Sequence, residues 1–312
     1  MNNWVLRPVA FKFQLSDITI FKLFLDLQVR AEALTNNSEP ITAPVPPVHE
    51  LVAGSEGFVV RSLPLAAPMP TISKIGDYLC YMQEQYEHCF IDFQIGYDRY
   101  LRKFSSKTRS TINRKLRKYS EHCGGTITWK TYRNPAELTT FFEIARDLSK
   151  TTYQERLLGR GLPDNKDYIE KAVRLSEEDK IRAYILFDRD RAVSYLFCPI
   201  DNDVVMYGYL GYSPDYMHLS VGTVLQWLVT EQLFREGRFR YFDFTEGQGS
   251  HKILFATHQR LCGNVVMVKR TMRNIALVRA HSFMNNLSKN LGETMDRYGL
   301  KARVKRLVRF RR

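Results

Sequence analysis

Cysteine is scarce in this chain of 312 residues, and its five cysteines include no C-x-x-C pair. An odd number of widely spaced cysteines is typical of reduced, buried thiols rather than of a disulfide framework. His88 and His122 each precede a cysteine, but no second pair of ligands lies at the spacing that zinc sites use. We therefore expect a protein from a reducing compartment, without a bound metal.

Long apolar runs are also missing. No window approaches the roughly 18 apolar residues that a membrane-spanning helix needs, and the N-terminus has neither the basic start nor the apolar stretch of a signal peptide. No helix-turn-helix, zinc finger or aromatic and basic RNA-binding motif is present, so we do not expect a nucleic-acid partner. The expected location is the cytoplasm.

Acidic residues are outnumbered, 33 against 46 basic ones, which gives a net charge of +13. Such an excess favours polyanionic partners. The excess lies in two segments: residues 102–118 have eight basic and no acidic side chains, and residues 271–312 have eleven basic and two acidic ones. The rest of the chain is mildly acidic, so the charge is a local property of these two segments. The composition is otherwise globular, with 44% hydrophobic and 25% charged residues.

Extended runs broken by proline-rich loops make up most of the first hundred residues. The spacing of Tyr78, Leu79, Met82 and Tyr86 predicts a helix over residues 75–87. A second, strongly basic helix is predicted to begin after a serine cap at 105 or 106 and to end at a pair of glycines.

From residue 126 the pattern is regular, and the predicted order is β-α-α-β-β-β-α-β-α-β. Three hairpin-linked strands followed by a helical crossover predict a mixed sheet, antiparallel first and parallel at the crossover. The predicted fold class is therefore α/β (α+β), with a mixed, mostly antiparallel sheet flanked by helices. A helical segment with a basic end completes the chain.

Four passages carry a family resemblance, namely FSSKTRSTINRKLRK, SKTTYQERLLG, YSPDYMHLSVGTVLQWLV and YFDFTEGQGSHK. Together with the element order they resemble the GNAT superfamily of acyl-CoA-dependent acyltransferases, and within it the CelD-like, cellulose-biosynthesis-type branch that is related to FemAB-like transferases. The resemblance implies a GNAT-like acyltransferase domain over residues 101–270. It further implies a degenerate N-terminal GNAT-like half or partial domain over 1–100, and leaves 271–312 as a basic helical tail. Acetyl-CoA or a longer acyl-CoA is the implied co-substrate.

The donor site is predicted at the start of the long helix near residue 220. Free backbone N–H groups and the positive end of a helix bind anions, and Ser220, Gly222 and Thr223 lie at this point. With the resemblance, they are predicted to bind the CoA pyrophosphate; on the residues alone, an ordinary serine cap is the favoured explanation. The superfamily's usual turn is Gln/Arg-x-x-Gly-x-Gly/Ala, and here only Gly222 fits, with Leu219 and Val224 at the outer positions.

Acyl transfer to an amine needs a base for the attacking nitrogen and a group that protonates the leaving thiolate. The candidates flank the long helix or lie just beyond it; the predicted catalytic residues are Asp243, Glu246, His251 and Tyr209, and Lys252 is a predicted donor-binding residue.

Each of these candidates has a structural alternative. Asp243 lies in an apolar strand, and it either points into a pocket or an internal hydrogen-bond network or anchors the turn that begins at Glu246. Lys252 either binds donor phosphate or an anionic acceptor, or is a lysine on a helix surface. His251 stands where the family more often has tyrosine, although imidazole also donates a proton near neutral pH. Tyr209 is predicted to share a strand face with Tyr207, by period-two alternation.

The acceptor is defined only by the resemblance, which implies an amine or hydroxyl of a sugar, lipid precursor or amino compound in envelope or exopolysaccharide metabolism. Tyr153, Gln154, Glu155 and Arg156 lie beside the expected acceptor groove, where they either recognise the substrate or form ion pairs that close the domain.

Two other functions remain open. A FemAB-like transfer from aminoacyl-tRNA would suit the basic segments, although the chain lacks the long helical hairpin of those proteins. A non-catalytic basic binding module is the second. The terminal residues 297–312 interleave arginines with apolar side chains, which suits either an anionic membrane surface, with the protein peripheral to the inner membrane, or a solvated terminus. The oligomeric state is left open.

Overall fold

The computed structural model describes residues 4–15, 18–36, 38–152, 161–247 and 249–297. The strands are β1 Val5–Leu15, β2 Ile18–Ala31, β3 Gly57–Pro64, β4 Ile72–Ile75, β5 Tyr78–Asp92, β6 Thr128–Tyr132, β7 Ile181–Asp188, β8 Arg191–Asp201, β9 Val204–Met206, β10 Tyr209–Tyr212, β11 Tyr241–Asp243 and β12 His258–Lys269. The α-helices are α1 Tyr97–Arg102, α2 Ser106–His122, α3 Pro135–Thr151, α4 Lys166–Glu177, α5 Val221–Glu236, α6 Ser250–Phe255 and α7 Met272–Arg297.

The chain divides into two compact units. Residues up to 86 and from 261 form the first unit, and residues 87–260 form the second. Strands β5 and β12 cross the boundaries, so each contributes residues to both. Each unit contains β-sheet and helix, and antiparallel pairs predominate, which confirms the predicted α/β class with a mostly antiparallel sheet flanked by helices.

In the first unit the strand order is β1-β2-β3-β12-β5, with β4 paired to β5. Strands β1 and β2 form a long antiparallel hairpin, whereas β2 and β3 run parallel. Helix α7 covers one face, where Val278 packs with Phe11 and Leu27, all fully buried. A separate apolar cluster that includes Phe58 and Met267 covers the other face.

In the second unit the order is β5-β11-β9-β8-β7-β6, with β10 paired to β8. Helices α2 and α5 contribute to the apolar cluster on one face, and α3 and α4 to the cluster on the other. Strand β11 runs parallel to β9, and α5 connects them through β10. The predicted parallel pair at the helical crossover is therefore confirmed.

The local signals predicted most of these elements. The side chain of Ser105 caps α2 by accepting the N–H of Thr108 at 3.1 Å. Asn134 opens α3 with a capping box that Glu137 completes. Gly237 ends α5 in the left-handed conformation, with φ of 61°. These residues satisfy backbone groups that a helix end leaves free.

The helix predicted over residues 75–87 is wrong, because this segment belongs to strand β5. Side chains alternate between two apolar clusters, with Leu79 and Tyr81 in one and Tyr78, Cys80 and Met82 in the other. A strand that is buried on both faces has a continuous apolar run, and such a run also contains the spacing of a helix face. Periodicity alone does not separate the two.

A buried polar group lies between the hairpin and α7. Nδ1 of His281 lies 2.8 Å from the hydroxyl oxygen of Tyr81, which also accepts a hydrogen bond from Asn285 at 3.2 Å. The rings of Phe11 and Phe13 meet the imidazole edge-on, each at 5.3 Å. Burial lowers the pKa of His281 and raises the pKa of Tyr81 to about 12. Both groups are therefore neutral near pH 7.

This histidine makes the stability of the fold dependent on pH. In the unfolded chain its pKa is near 6.5, so below that pH the unfolded state binds a proton that the folded state excludes. The free energy of unfolding should fall on acidification from pH 7 to pH 5, by at most about 1.4 kcal/mol per pH unit from this group. Urea denaturation across this range measures the slope, which should be smaller in His281→Phe.

Phe283, an exposed residue of the same helix, provides the control, since Phe283→Leu removes no titratable group and should leave the slope unchanged. A slope for His281→Phe equal to that of the parent protein would contradict the assignment, whatever the absolute stability of the variant.

Candidate functional site

The sheet of the second unit opens where β9 passes into β10. Strand β9 pairs with β8 and with β11, whereas β10 pairs with β8 alone among the described strands. Strand β11 ends at Asp243, the register partner of Met206. Strand β10 therefore continues past the end of β11 with no described strand beside it on that side. Met206 is 36% exposed and the backbone at Gly208 is exposed, so the opening is accessible to solvent.

Gly208 permits this divergence by its lack of a side chain. Its N–H donates to the carbonyl oxygen of Phe197 at 3.1 Å. A Cβ at position 208 would lie 2.8 Å from that same oxygen, closer than real Cβ atoms approach. The close contact with β8 holds the chain on the β8 side as it leaves β11.

Tyr207 and Tyr209 do not share a face, contrary to the sequence prediction. Tyr207 packs against Phe242 and Phe244 in the cluster beneath α2 and α5. Tyr209 packs against Tyr168 in the cluster beneath α3 and α4. The two residues lie on either side of the break between β9 and β10, so period-two alternation does not carry across it.

Helix α5 begins beside this opening. A 3-10 helix over Pro214–Leu219 separates β10 from α5, so the strand does not pass directly into the helix. Ser220 adopts the left-handed conformation, with φ of 55°, and its side chain makes no capping hydrogen bond. It is therefore not an ordinary serine cap. A Cβ on Gly222 would lie 3.2 Å from Cδ1 of Tyr212, so the first turn of α5 packs tightly against β10.

Two lysines of the basic helix α2 point to this helix start. Nζ of Lys115 donates to Oγ1 of Thr223 at 3.4 Å, and Nζ of Lys118 donates to the carbonyl oxygen of His218 at 3.0 Å. By contrast, Leu219 and Val224 are 3% and 1% exposed, so the outer positions of the phosphate turn pack into the core. The positive charge here comes from α2 and from the α5 dipole, which together suit an anion.

At the end of β11, Asp243 forms a buried pair with His88 of β5. Nε2 of His88 lies 2.6 Å from Oδ1 of Asp243, and the backbone N–H of Thr245 donates to the same oxygen at 2.6 Å. The side chains are 3% and 12% exposed respectively, so the carboxylate lies nearer to solvent than the imidazole. Oδ2 of Asp243 accepts no hydrogen bond from the residues that the structure describes.

Lys252 fixes the loop that follows Asp243. Its ammonium group donates to the carbonyl oxygens of Glu246 at 2.6 Å, Gly247 at 3.2 Å and Thr245 at 3.4 Å. Thr245 is held at φ of 60°, a left-handed conformation that is costly for a threonine. Both alternatives for Asp243 therefore apply, because its carboxylate anchors this turn and also meets a buried imidazole.

His251, at the start of α6, lies next to Tyr207. The two rings are 6.1 Å apart between centroids, and the backbone N–H of Tyr207 donates to the carbonyl oxygen of Asp243 at 2.8 Å. Partial desolvation, and then the positive charge of Lys252, lower the pKa of His251. The imidazole is therefore neutral near pH 7.

Seven of the predicted site residues form two groups, and the eighth, Tyr209, lies apart from both. Asp243, Glu246, His251 and Lys252 surround the loop after β11, and Ser220, Gly222 and Thr223 form the start of α5. Tyr209 lies in the other apolar cluster. The predictions for Tyr153, Gln154, Glu155 and Arg156 fall outside the described residues.

Sequence reasoning did not include His88 or Lys115 among the site residues. His88 follows the helix predicted over residues 75–87, and its contact with Asp243 joins residues 155 positions apart. The basic run around Lys115 was recognised, but periodicity does not tell which of its charges face another helix.

Residues 106–252 match the acetyltransferase (GNAT) domain family. The match covers just under half of the chain and includes α2, the opening between β10 and β11, and the loop after β11. A search of curated proteins finds no match.

Several solved structures are similar to the chain. The C-terminal domain of a protein described as a lysylphosphatidylglycerol synthetase, from Agrobacterium fabrum, is 10% identical with a TM-score of 0.49, over 74% of this chain and 73% of that one. L-PGS from Bacillus licheniformis is 12% identical with a TM-score of 0.44, over 73% and 72%. FemX is 11% identical with a TM-score of 0.46, over 84% and 88%. Within the described residues, no helix has the length and apolarity needed to cross a membrane.

The loop contacts of Lys252 predict a loss of stability when its ammonium group is removed. Lys252→Met keeps most of the aliphatic stem but leaves the loop carbonyls without their charged donor. Hydrogen bonds to charged groups contribute about 1.5–3 kcal/mol, so the free energy of unfolding should fall by about 1–3 kcal/mol in urea denaturation. Lys171→Met, at an exposed position of α4, is the control and should change it little. Equal stability of the two variants would contradict this role.

Proposed function

We propose that this protein is an acyl-CoA-dependent acyltransferase of the GNAT type, which moves an acyl group to an amine or hydroxyl. The divergence of β10 from β11 carries the proposal, because it leaves an accessible gap with a helix start following one strand and a buried carboxylate ending the other. The GNAT match over these same elements supports it.

The donor phosphates would bind at the start of α5. The residues there fit a pyrophosphate, since Ser220 leaves the helix start without a side-chain cap and Lys115 and Lys118 add two positive charges. Gly222 would supply its backbone N–H group. The N–H of Thr223 already donates to the carbonyl oxygen of Ser220 at 2.9 Å, so Thr223 would contribute its hydroxyl group instead. We propose that Lys252 acts indirectly, by holding the loop after Asp243, as well as through its charge.

Asp243 is our candidate for the general base. One of its oxygens is fixed by His88 and Thr245, and Oδ2 is left to receive the proton of the attacking nitrogen. The nitrogen would bond to the thioester carbonyl carbon, the carbon–sulfur bond would break, and the sulfur would leave with the bonding electrons. His251 is the candidate that returns the proton taken up by Asp243 to this thiolate, because a neutral imidazole can accept a proton at one ring nitrogen and donate one from the other. Glu246 and Tyr209 are secondary candidates for contact with the acceptor.

For the acceptor we propose a sugar, lipid precursor or amino compound of envelope or exopolysaccharide metabolism, as in the CelD-like branch. This part of the proposal is supported only by the sequence resemblance described above.

Calorimetric titration with acetyl-CoA and longer acyl-CoAs tests the donor site. Gly222→Trp should abolish binding, because any side chain there meets Tyr212. Lys115→Ala/Lys118→Ala should weaken binding about tenfold, through the loss of two charged phosphate contacts.

The matched control is Arg102→Ala/Lys107→Ala, which removes two exposed charges of the same basic segment and should bind like the parent protein. Absence of binding to every acyl-CoA, with a folded parent protein, would overturn the proposed donor.

Removal of the base should lower the rate of acyl transfer and leave the binding of acyl-CoA unchanged. Asp243→Asn should lower the rate of CoA thiol release in the presence of an amine panel by about 10²–10⁴-fold, with acyl-CoA affinity unchanged. His88→Gln should cause a smaller loss and alter the pH profile of the rate, because His88 acts through the carboxylate. An Asp243→Asn enzyme with the parent rate would exclude this residue as the base.

The outer face of α2 favours a second candidate donor, an aminoacyl-tRNA. An open surface groove of about 710 Å³ is lined by polar and basic residues of this helix, namely Ser106, Arg109, Ser110, Asn113, Arg114 and Arg117. Filter binding with aminoacyl-tRNA over a range of salt concentrations tests it, since phosphate contacts give a steep salt dependence. Salt-dependent tRNA binding without acyl-CoA binding would favour this donor over the first.

A further inference from the structure

The β1–β2 hairpin has an unusual number of exposed apolar side chains. Seven large apolar residues of these two strands are between 37% and 59% exposed: Val5, Leu6, Leu15, Ile20, Phe21, Leu23 and Phe24. Five of them lie within ten residues of sequence around the turn. Exposed apolar residues are ordinary when they are scattered, but a contiguous group marks an interaction surface.

Both faces of the hairpin end are apolar. On the inner face of the hairpin, the β1 residues Phe11 and Phe13 are buried in the apolar cluster that includes α7. Their register partners in β2, Leu23 and Phe21, are 46% and 47% exposed, with Phe21 stacked on Phe13 at 4.4 Å. A solvated antiparallel pair normally has a polar outer face, yet Phe24 and its register partner Ala10 occupy that face here, and Ile20 is 57% exposed at the neighbouring irregularity in the register.

The outer face also has two lysines in direct opposition. Lys12 and Lys22 are register partners across the hairpin, and both are exposed. Like charges placed directly opposite one another destabilise a strand pair. A negatively charged partner at this face would remove that cost, while the apolar side chains around the lysines would lose contact with water.

The same unit contains the most basic part of the sequence. Helix α7 packs on the hairpin, and the sequence that follows Arg297 has seven Lys and Arg residues and no acidic residue. Apolar side chains that insert shallowly, next to basic groups, are the features of segments that bind anionic lipid surfaces.

We propose that the end of the β1–β2 hairpin binds the surface of an anionic lipid bilayer, with Ile20, Phe21, Leu23 and Phe24 inserted between headgroups and Lys12 and Lys22 against lipid phosphates. The proposal does not depend on the acyltransferase function. It commits to a lipid surface because the excess positive charge of this unit complements one, and a second copy of the chain would bring the same positive charges together.

Vesicle sedimentation tests the proposal. The full chain should sediment with vesicles that contain phosphatidylglycerol and much less with pure phosphatidylcholine vesicles. Phe21→Ser/Phe24→Ser should weaken binding roughly tenfold, and Lys12→Gln/Lys22→Gln should weaken it only for the anionic vesicles. The control is Val45→Ser/Val48→Ser, which removes two exposed apolar side chains elsewhere in the same unit and should bind like the parent protein.

Insertion is measured independently by Phe24→Trp, whose fluorescence should be quenched by brominated lipids. This variant keeps an aromatic residue and avoids any loss of folding in the serine variants. Two results would overturn the proposal. The first is parent-like vesicle binding by folded Phe21→Ser/Phe24→Ser together with an unquenched tryptophan at 24. The second is no vesicle binding, with a dimer in light scattering that the same substitutions dissociate.

Discussion

The close approach of Gly208 to the carbonyl oxygen of Phe197 is the contact on which the candidate site depends. It keeps the chain hydrogen-bonded to β8 at the point where it leaves β11, so β9 and β10 become separate strands. Because of this divergence, Tyr207 and Tyr209 lie in different apolar clusters. It also leaves the end of β11, with Asp243, facing a gap. One continuous strand in place of β9 and β10 would fill this space with strand pairing.

The charged groups around this gap have different roles. The lysines of α2 and the dipole of α5 provide positive charge where the helix begins, and Asp243 provides the buried negative charge at the end of β11. Lys252 donates to three carbonyl oxygens of the loop. The basic residues that give the net charge of +13 therefore lie mainly in two places. One part lies on α2 in the second unit, and another lies at the end of the first unit, in the same unit as the exposed hairpin.

Much of the second unit could be predicted from the sequence, because its turns, caps and alternating patterns are local signals. Ser105, Asn134 and Gly237 mark helix ends by the backbone groups that they satisfy, and the order of strands and helices indicated the parallel crossover. Strand β5 could not be distinguished from a helix, since burial on both faces removes the alternation that identifies a strand. The pairing of His88 with Asp243, and the break at Gly208, depend on contacts between distant segments. No spacing within one element encodes them, so sequence reasoning found Asp243 but not its partner.

Hydrogen–deuterium exchange across residues 213–224, with and without acetyl-CoA, tests the central claim most directly. If the donor binds at the start of α5, backbone N–H groups of this peptide should exchange more slowly in the presence of acetyl-CoA, while the β1–β2 hairpin exchanges unchanged. Lys115→Ala/Lys118→Ala should require more acetyl-CoA for the same protection. Unchanged exchange at 213–224 under saturating acetyl-CoA, or protection confined to other segments, would contradict the account of this site.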